Sequence, residues 1–324
     1  GCHDYLRSVQ RRCGVAMLLP IVISVSQRAG VSVSRQLIPM SFAASFGCNL
    51  TLMGAASNIV VNGALEDLGV PTMSFFELGK VGLPVSIAGI VFFLTIGKRF
   101  LTPGDTSDKE YLAEYTGSNK AVEFNPVKAG LCLVILAVLL VAMAIDSDSF
   151  PMYLVAAFAA FVLVLTGCIS QSDAYKSIDL STLFIVAGMS AVSTGMSKSG
   201  AGALIADTAV SLLGEHPNKL LVLFIILVLV TLLTNAMMNT SCAMLVTPLF
   251  IPIVQAFGMN TTAVAIAICV AASSPFLTPV GSGTNTLIVR PGNLKFMDFF
   301  RPGLGLTIVI LIVSMICIPI FWPM

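Results

Sequence analysis

Long stretches without a charged residue alternate with short polar segments along this chain. Residues 220–289 contain no Asp, Glu, Lys, Arg or His, and further uncharged runs cover residues 36–65, 81–97, 129–145, 149–172, 180–197 and 302–324. Most of these runs are long enough to cross about 30 Å of hydrocarbon as a helix, at about 1.5 Å per residue. The pattern therefore predicts an all-α, polytopic membrane protein.

Two of these runs are interrupted by the same motif. Residues 51–58 read Thr-Leu-Met-Gly-Ala-Ala-Ser-Asn, and residues 278–285 read Thr-Pro-Val-Gly-Ser-Gly-Thr-Asn. Upstream of each copy lies a second matched pair, Pro20 with Gly30 and Pro248 with Gly258. Unwound backbone at membrane depth persists only where protein or a water-filled cavity satisfies its polar groups. We therefore predict an internal duplication with two broken helices, a pattern that marks the binding site of a transporter.

A third interruption and the positions of Lys and Arg predict the topology. The run at residues 220–256 is too long for one span and is broken at residues 234–240, which predicts a re-entrant helical hairpin. The positive-inside rule assigns Arg28, Arg35, the lysines of residues 98–128 and Arg290 to the cytoplasm. The first broken helix then runs outward and the second inward. The two repeats are accordingly predicted to be inverted, as in alternating-access transporters.

Composition excludes several classes of protein. With 56% hydrophobic residues, 10% charged residues and a net charge of +1, the chain has too little polar surface for a soluble globule and no charge excess to attract nucleic acid. Its eight cysteines show no C-x-x-C spacing, so we expect no metal other than sodium and no cofactor. No H-E-x-x-H or Gly-x-Ser-x-Gly motif occurs, which argues against an enzyme.

The breaks carry side chains suited to small ions. Backbone carbonyls at Gly-rich breaks, with the oxygens of Ser57, Asn58, Asn239, Thr284 and Asn285, can coordinate a hard cation such as sodium. The resumed half-helices offer free N–H groups and a positive dipole end to an anion. A co-bound cation would then supply the compensating charge. The alternative is that these polar residues only join helices by hydrogen bonds; two matched copies and the hairpin favour a transport site.

The same residues resemble the divalent anion:sodium symporter family of the ion transporter superfamily. The resemblance runs from about Gly14 to the C-terminus. It is carried by residues 16–20, 52–63, 73–77, 81–84, 234–248, 276–285, 299–300 and 321–323. The Gly-x-x-Ser/Thr-Asn pattern of both breaks is most similar to the sulfate-permease-like branch.

The resemblance implies an elevator-type, sodium-coupled symporter that is usually a homodimer in the lipid membrane. By the family pattern, the sodium ligands are Gly54, Ser57, Asn58, Asn239, Gly281 and Asn285. The residues expected to contact the anion are Ser57, Asn58, Asn239, Thr240, Ser282, Thr284 and Asn285. The hairpin tip departs from the family at Met238, which stands where a Ser is usual.

We expect a multi-pass protein of the plasma membrane that imports sulfate or, as second choice, a C4 dicarboxylate. The predicted parts are a polar segment at residues 1–13, the first repeat at 14–100, a cytoplasmic linker at 101–126 and the second repeat at 127–324. The alternatives are a channel, a non-transporting sensor of sulfur status, and a sodium/proton or arsenite transporter of the same superfamily. A proton antiporter generally needs an acidic residue within the membrane, which the uncharged breaks lack.

The repeat spacing also predicts where the first repeat would carry a hairpin tip of its own. The spacing that relates Pro20 to Pro248 places the partners of Asn239 and Thr240 at Arg11 and Arg12. Two guanidinium groups would repel a cation at that tip. From the sequence we therefore expect an N-terminally truncated form that cannot transport alone.

Overall fold

The computed structural model describes residues 14–101, 126–144, 152–178 and 218–323, with single positions between 180 and 208. Helices account for all the regular structure in these residues. They are α1 Gly14–Arg28, α2 Val33–Cys48, α3 Ala56–Asp67, α4 Gly79–Thr95, α5 Pro126–Ala144, α6 Met152–Leu165, α7 Gln171–Ser177, α8 Lys219–Ala236, α9 Asn239–Ala256, α10 Thr261–Ala272, α11 Gly283–Val289 and α12 Phe296–Phe321. The predicted all-α class is confirmed. Residues 1–13 and most of the predicted linker lie outside the described residues.

Among the described residues, four helices are long and apolar enough to cross a membrane: Pro126–Met143, Lys219–Ala236, Asn239–Ala256 and Phe296–Phe321. Shorter helices flank the two breaks. The first break separates α2 from α3, and the second separates α10 from α11, as the repeated motif predicts. The expectation of a polytopic membrane protein is thereby confirmed. The inverted orientation of the repeats and the repeat boundaries stay predictions.

The matched Pro and Gly pairs occupy matched places in the fold. Pro20 lies within α1 and Pro248 within α9. Gly30 and Gly258 follow these helices with positive φ of 65° and 60°. The N–H of the next residue then reaches back to a helix carbonyl, from Val31 to Ser26 and from Met259 to Val254. Both helices therefore end in the left-handed glycine cap that this backbone conformation allows.

The helices that follow the breaks pack against helices of the opposite predicted repeat. α3 packs on α9 and α10, whereas α11 packs on α1 and α2. In the predicted repeats, α1 matches α9 and α2 matches α10. The contacts of α3 with α9 and α10 therefore correspond to the contacts of α11 with α1 and α2. α4 and α12 pack against each other. Neither repeat therefore buries its post-break helix by itself.

Two glycines bring α4 and α12 close to the breaks. A Cβ at Gly82 would overlap the carbonyl oxygen of Asn49, and a Cβ at Gly303 would overlap that of Phe276. Asn49 and Phe276 are themselves matched by the spacing that relates the two motifs. Each break therefore lies directly on the backbone of a neighbouring helix, where no side chain fits.

The α5–α6 and α8–α9 helix pairs are linked in the same way at one end. Lys128 Nζ donates to Gly167 O at 2.8 Å across the α5–α6 pair, and Lys219 Nζ donates to Gly258 O at 3.0 Å across α8–α9. Many apolar side chains of α5 and α6 are exposed, for example Val127, Leu133 and Phe158. Such a surface suits contact with lipid. The α8–α9 hairpin turns at Met237 and Met238, within the interruption predicted at residues 234–240; its entry from one side of the membrane stays a prediction.

Candidate functional site

Each break is closed by the side-chain amide of its asparagine. Asn58 Nδ2 donates to Cys48 O at 2.8 Å and to Thr51 O at 3.4 Å. Asn285 Nδ2 donates to Pro275 O at 2.8 Å and to Thr278 O at 3.1 Å. The acceptors lie ten and seven residues before the asparagine in both cases. The amide thus satisfies carbonyls that the interrupted helix leaves without their helical partners.

The glycine of each motif allows the chain to pass close to other backbone. At Gly54 a Cβ would lie 2.8 Å from the carbonyl carbon of Cys48. At Gly281 it would lie 2.6 Å from Thr234 O and 2.6 Å from Pro275 Cβ. Both distances are shorter than a side-chain carbon tolerates. Glycine is therefore required at both positions by the same kind of contact.

The tip of the α8–α9 hairpin holds the second break. Asn235 Oδ1 accepts from Leu277 N at 2.9 Å, and Asn235 O accepts from Thr278 Oγ1 at 2.7 Å. Thr234 Oγ1 donates to Ala272 O at 2.7 Å, at the end of α10. The site prediction names neither Thr234 nor Asn235. Their signal in the sequence is the polar interruption of an otherwise apolar hairpin.

Asn239, the first residue of α9, lies between two kinds of neighbours. One end of its amide faces the oxygens of Gly281, Thr234 and Ala272, and the other end faces hydrogen-bond donors. The amide satisfies both when Nδ2 donates to Gly281 O at 2.7 Å, Thr234 Oγ1 at 3.1 Å and Ala272 O at 3.2 Å. In the reverse orientation, Thr234 Oγ1 lies within hydrogen-bonding distance of Asn239 Oδ1, at 3.1 Å. The predicted pair of Asn239 and Gly281 is thus in direct contact.

The remaining predicted residues occupy local positions around the breaks. Ser282 is the N-cap of α11; its Oγ lies 2.7 Å from Thr284 Oγ1 and accepts from Thr284 N at 3.3 Å. Thr240 is half-buried in the first turn of α9. The Ser57 hydroxyl is buried and lies 3.4 Å from that of Ser273 at the end of α10. The first hairpin tip, predicted near Arg11 and Arg12, lies outside the described residues.

Two side-chain hydrogen bonds join the breaks across the repeats. Ser57 and Ser273 link α3 to α10, and Ser41 Oγ donates to Asn285 Oδ1 at 2.7 Å, which links α2 to α11. Asn58 Oδ1 and both polar atoms of the Asn49 amide are buried without a hydrogen-bond partner. Among the described residues, no group of three or more His, Cys, Asp or Glu could hold a metal ion. The polar atoms available at the breaks are therefore amides, hydroxyls and carbonyls.

Long apolar helices, two breaks closed by buried asparagines and a hairpin tip against one of them define an integral, multi-pass membrane protein of the transporter type. The sequence profile of the citrate transporter family matches residues 9–210 and 143–323. The chain belongs to this family, which agrees with the resemblance described above.

Individual relatives are also named as transporters. The chain is 30% identical over 194 residues to the uncharacterized transporter YfbS of Escherichia coli K12, covering 59% of this chain and 30% of YfbS. It is 25% identical over 328 residues to an uncharacterized transporter of Haemophilus influenzae, covering 95% of this chain and 68% of the relative. Sodium/sulfate cotransporter 1 of Chlamydomonas reinhardtii is 34% identical over 101 residues, which is 29% of this chain and 11% of that protein. The matched part of the chain thus spans about a third of the length of YfbS.

Proposed function

We propose that the chain forms the ion-binding core of a sodium-coupled transporter of a small divalent anion, with sulfate as the first candidate and a C4 dicarboxylate as the second. The observation that carries this proposal is the position of the Asn239 amide between acceptors and donors. A cation is suited to the acceptor side and an anion to the donor side.

On the acceptor side, the oxygens belong to Gly281, Thr234 and Ala272. Reversal of the Asn239 amide would add Oδ1 to this group, and a hard cation prefers such oxygen ligands. Without a cation, reversal would set Oδ1 against carbonyl oxygens and lose the hydrogen bonds of Nδ2. Sodium therefore stabilises the reversed orientation.

On the donor side, the reversed amide would direct Nδ2 towards groups that are themselves donors. That arrangement favours an anion, which accepts from all of them. Residues 220–289 carry no Lys or Arg, so the compensating positive charge comes from the bound cation. Each ion thus favours the amide orientation that the other needs, which is a coupling free energy between two ligands.

The first break is proposed to supply a second set of ligands. Asn58 Oδ1 is buried without a hydrogen-bond partner, and Ser57 lies beside it in the first turn of α3. Buried oxygens of this kind are costly unless a donor or a cation approaches them. We assign Gly54, Ser57 and Asn58 to one sodium and anion half-site. Asn239, Thr240, Gly281, Ser282, Thr284 and Asn285 belong to the other.

The conformational change is proposed to move both breaks together. Ser57 with Ser273 and Ser41 with Asn285 tie each half-helix to the opposite repeat. Rocking one repeat against the other would break these buried links. An elevator movement of the joined breaks keeps them, and we propose it here for a homodimer in the plasma membrane.

Uptake of radiolabelled sulfate into proteoliposomes by the full-length protein tests the proposal. We expect accumulation that depends on an inward sodium gradient and that is lost when choline replaces sodium. Competition by unlabelled sulfate, a C4 dicarboxylate and citrate identifies the preferred anion. Accumulation that is indifferent to the sodium gradient would exclude coupling, and currents without uphill accumulation would indicate a channel.

A further inference from the structure

A buried serine outside both motifs reaches the second break. Ser41 lies in the middle of α2 with 0% of its surface exposed, and its hydroxyl donates to Asn285 Oδ1 at 2.7 Å. Asn285 is 1% exposed and belongs to α11 of the other repeat. The hydrogen bond therefore joins two residues that are distant in sequence and shielded from solvent.

This bond engages the one end of the Asn285 amide that the break leaves free. Nδ2 already donates to Pro275 O and Thr278 O, and Ser41 supplies the donor for Oδ1. The amide is planar, so donors and acceptors on opposite ends fix its rotation. Asn285 is thus held as a strut of the break.

Further hydrogen bonds connect Asn285 to the proposed ion site. Asn285 fixes the carbonyl of Thr278, and Thr278 Oγ1 accepts from Gly281 N at 3.2 Å. The carbonyl of Gly281 is in turn the nearest acceptor of Asn239, at 2.7 Å. Ser41 therefore lies at the far end of a connected series that leads to the Asn239 amide.

The first break lacks this support. Asn58 makes the same two Nδ2 bonds, but its Oδ1 has no hydrogen-bond partner. The position that matches Ser41 is Ile268 by the spacing of the motifs, or Cys269 by the spacing of the Pro and Gly pairs. Neither side chain contains an oxygen that could donate a hydrogen bond. Both asparagine amides donate to carbonyls of their break, but only the side-chain oxygen of Asn285 accepts a hydrogen bond.

We propose that Ser41 is a positioning residue of the second ion site, which acts through Asn285 to set the carbonyls around Asn239. Asn285 then contributes to its half-site by holding the break in place, whereas Asn58 keeps its side-chain oxygen for a ligand. The identity of the ion rests on the function proposed above; the positioning of the break by Ser41 does not.

Ser41→Ala in the full chain tests this, with Ser45→Ala as the matched control. Ser45 lies one turn further along α2, is also buried, and its hydroxyl reaches only Ser41 O at 3.5 Å. By hydrogen exchange, we expect Ser41→Ala to lower the protection of residues 275–282 and leave residues 48–55 unchanged. The sodium concentration that half-saturates thermal stabilisation, with choline as the reference cation, should rise about tenfold, the usual effect of losing a partner of a metal-ligand group.

A double-mutant cycle shows whether Ser41 acts through Asn285. In an Asn285→Ala background, Ser41→Ala should have no further effect on either measurement. Equal effects of Ser41→Ala and Ser45→Ala would overturn the proposal. If the wild-type protein is stabilised by sodium, altered exchange with an unaltered sodium response would overturn it as well. If the alanine variant does not fold, Ser41→Cys has nearly the same shape and only a weak donor, so it gives the same two measurements.

The outcome is separable from the proposed function. A wild-type protein that shows no sodium-dependent stabilisation contradicts sodium coupling. Exchange at residues 275–282 and the double-mutant cycle then still decide whether Ser41 positions the second break.

Discussion

The two breaks share a backbone design and differ in the side chains around it. Each has a buried asparagine that closes ten residues of chain, a glycine in close backbone contact, and a helix glycine pressed on a break carbonyl. The second break is in addition held by Asn235 and by Ser41. The first leaves Asn58 Oδ1 and the Asn49 amide without hydrogen-bond partners. The interruption itself is thus the same in both breaks, while the side chains that surround it differ.

We expect the largest loss of folding stability from substitutions of the motif glycines, which both breaks share. Gly281→Ala would place a carbon 2.6 Å from Thr234 O and from Pro275 Cβ. We expect the variant to lose about 3 kcal/mol of folding free energy, at the upper end for overpacking. Gly54→Ala should behave alike, because it meets the backbone of Cys48.

Gly63→Ala is the control for this pair, since nothing lies within 4 Å of its added carbon on α3. A helical Gly→Ala change there should be neutral or stabilising by about 0.5–1 kcal/mol. Thermal unfolding of the purified variants measures the difference. Similar stability of Gly281→Ala and Gly63→Ala would contradict the close contact.

The Asn239 amide distinguishes the second break from the first. The substitution Asn239→Asp tests the cation-facing and anion-facing ends of this side chain separately. A carboxylate can face the acceptor side with a cation bound, but it cannot donate to an anion. We expect the sodium-dependent stabilisation to persist and sulfate affinity to fall about 100-fold, as like charges oppose each other. Asn239→Ala should weaken both ligands. Titrations of thermal stability with sodium and with sulfate measure this, and identical behaviour of the two variants would argue against a two-ended amide.

Alanine at the two break asparagines compares the sites directly. Asn285→Ala and Asn58→Ala should each lower sodium and anion affinity together, by about tenfold, with folding largely retained. Asn285→Ala should cost more stability, by about 1 kcal/mol, because it also leaves the Ser41 hydroxyl without its acceptor. Sodium-dependent uptake and thermal unfolding report the two effects. An active Asn285→Ala protein with unaltered sodium dependence would show that the site is wrongly assigned.

The smallest effect is expected from making the first break resemble the second. Cys269→Ser adds a hydroxyl at one of the two positions that match Ser41, and we expect this hydroxyl to donate to Asn58 Oδ1. We expect a gain of about 1 kcal/mol in folding stability and a weaker sodium response, because the asparagine oxygen is engaged. Cys242→Ser, on α9, is the comparison for the loss of a buried thiol. A lower stability in both variants alike would mean that Cys269 does not face Asn58.

The sequence predicted the parts of the site that repetition makes visible. Both breaks, their asparagines and glycines, and the hairpin interruption are each recognisable from uncharged runs and matched spacing. Ser41 was not predicted, because its partner lies 244 residues away and its own surroundings are an ordinary run of small residues in α2. The predicted site contains Asn239 and not Asn235, although Asn235 makes two hydrogen bonds to the second break. Contacts between distant elements leave no periodic signal along a chain.

The exchange of α3 and α11 between the repeats bears on how such a molecule could arise. A single repeat would expose the helix after its break, because the surface that covers it belongs to the other repeat. An ancestral gene encoding only one repeat would therefore have required two copies of its product, assembled together, before either copy was complete. Fusion of two such genes would join both copies in one chain, and a residue such as Ser41 could then be gained in one half alone.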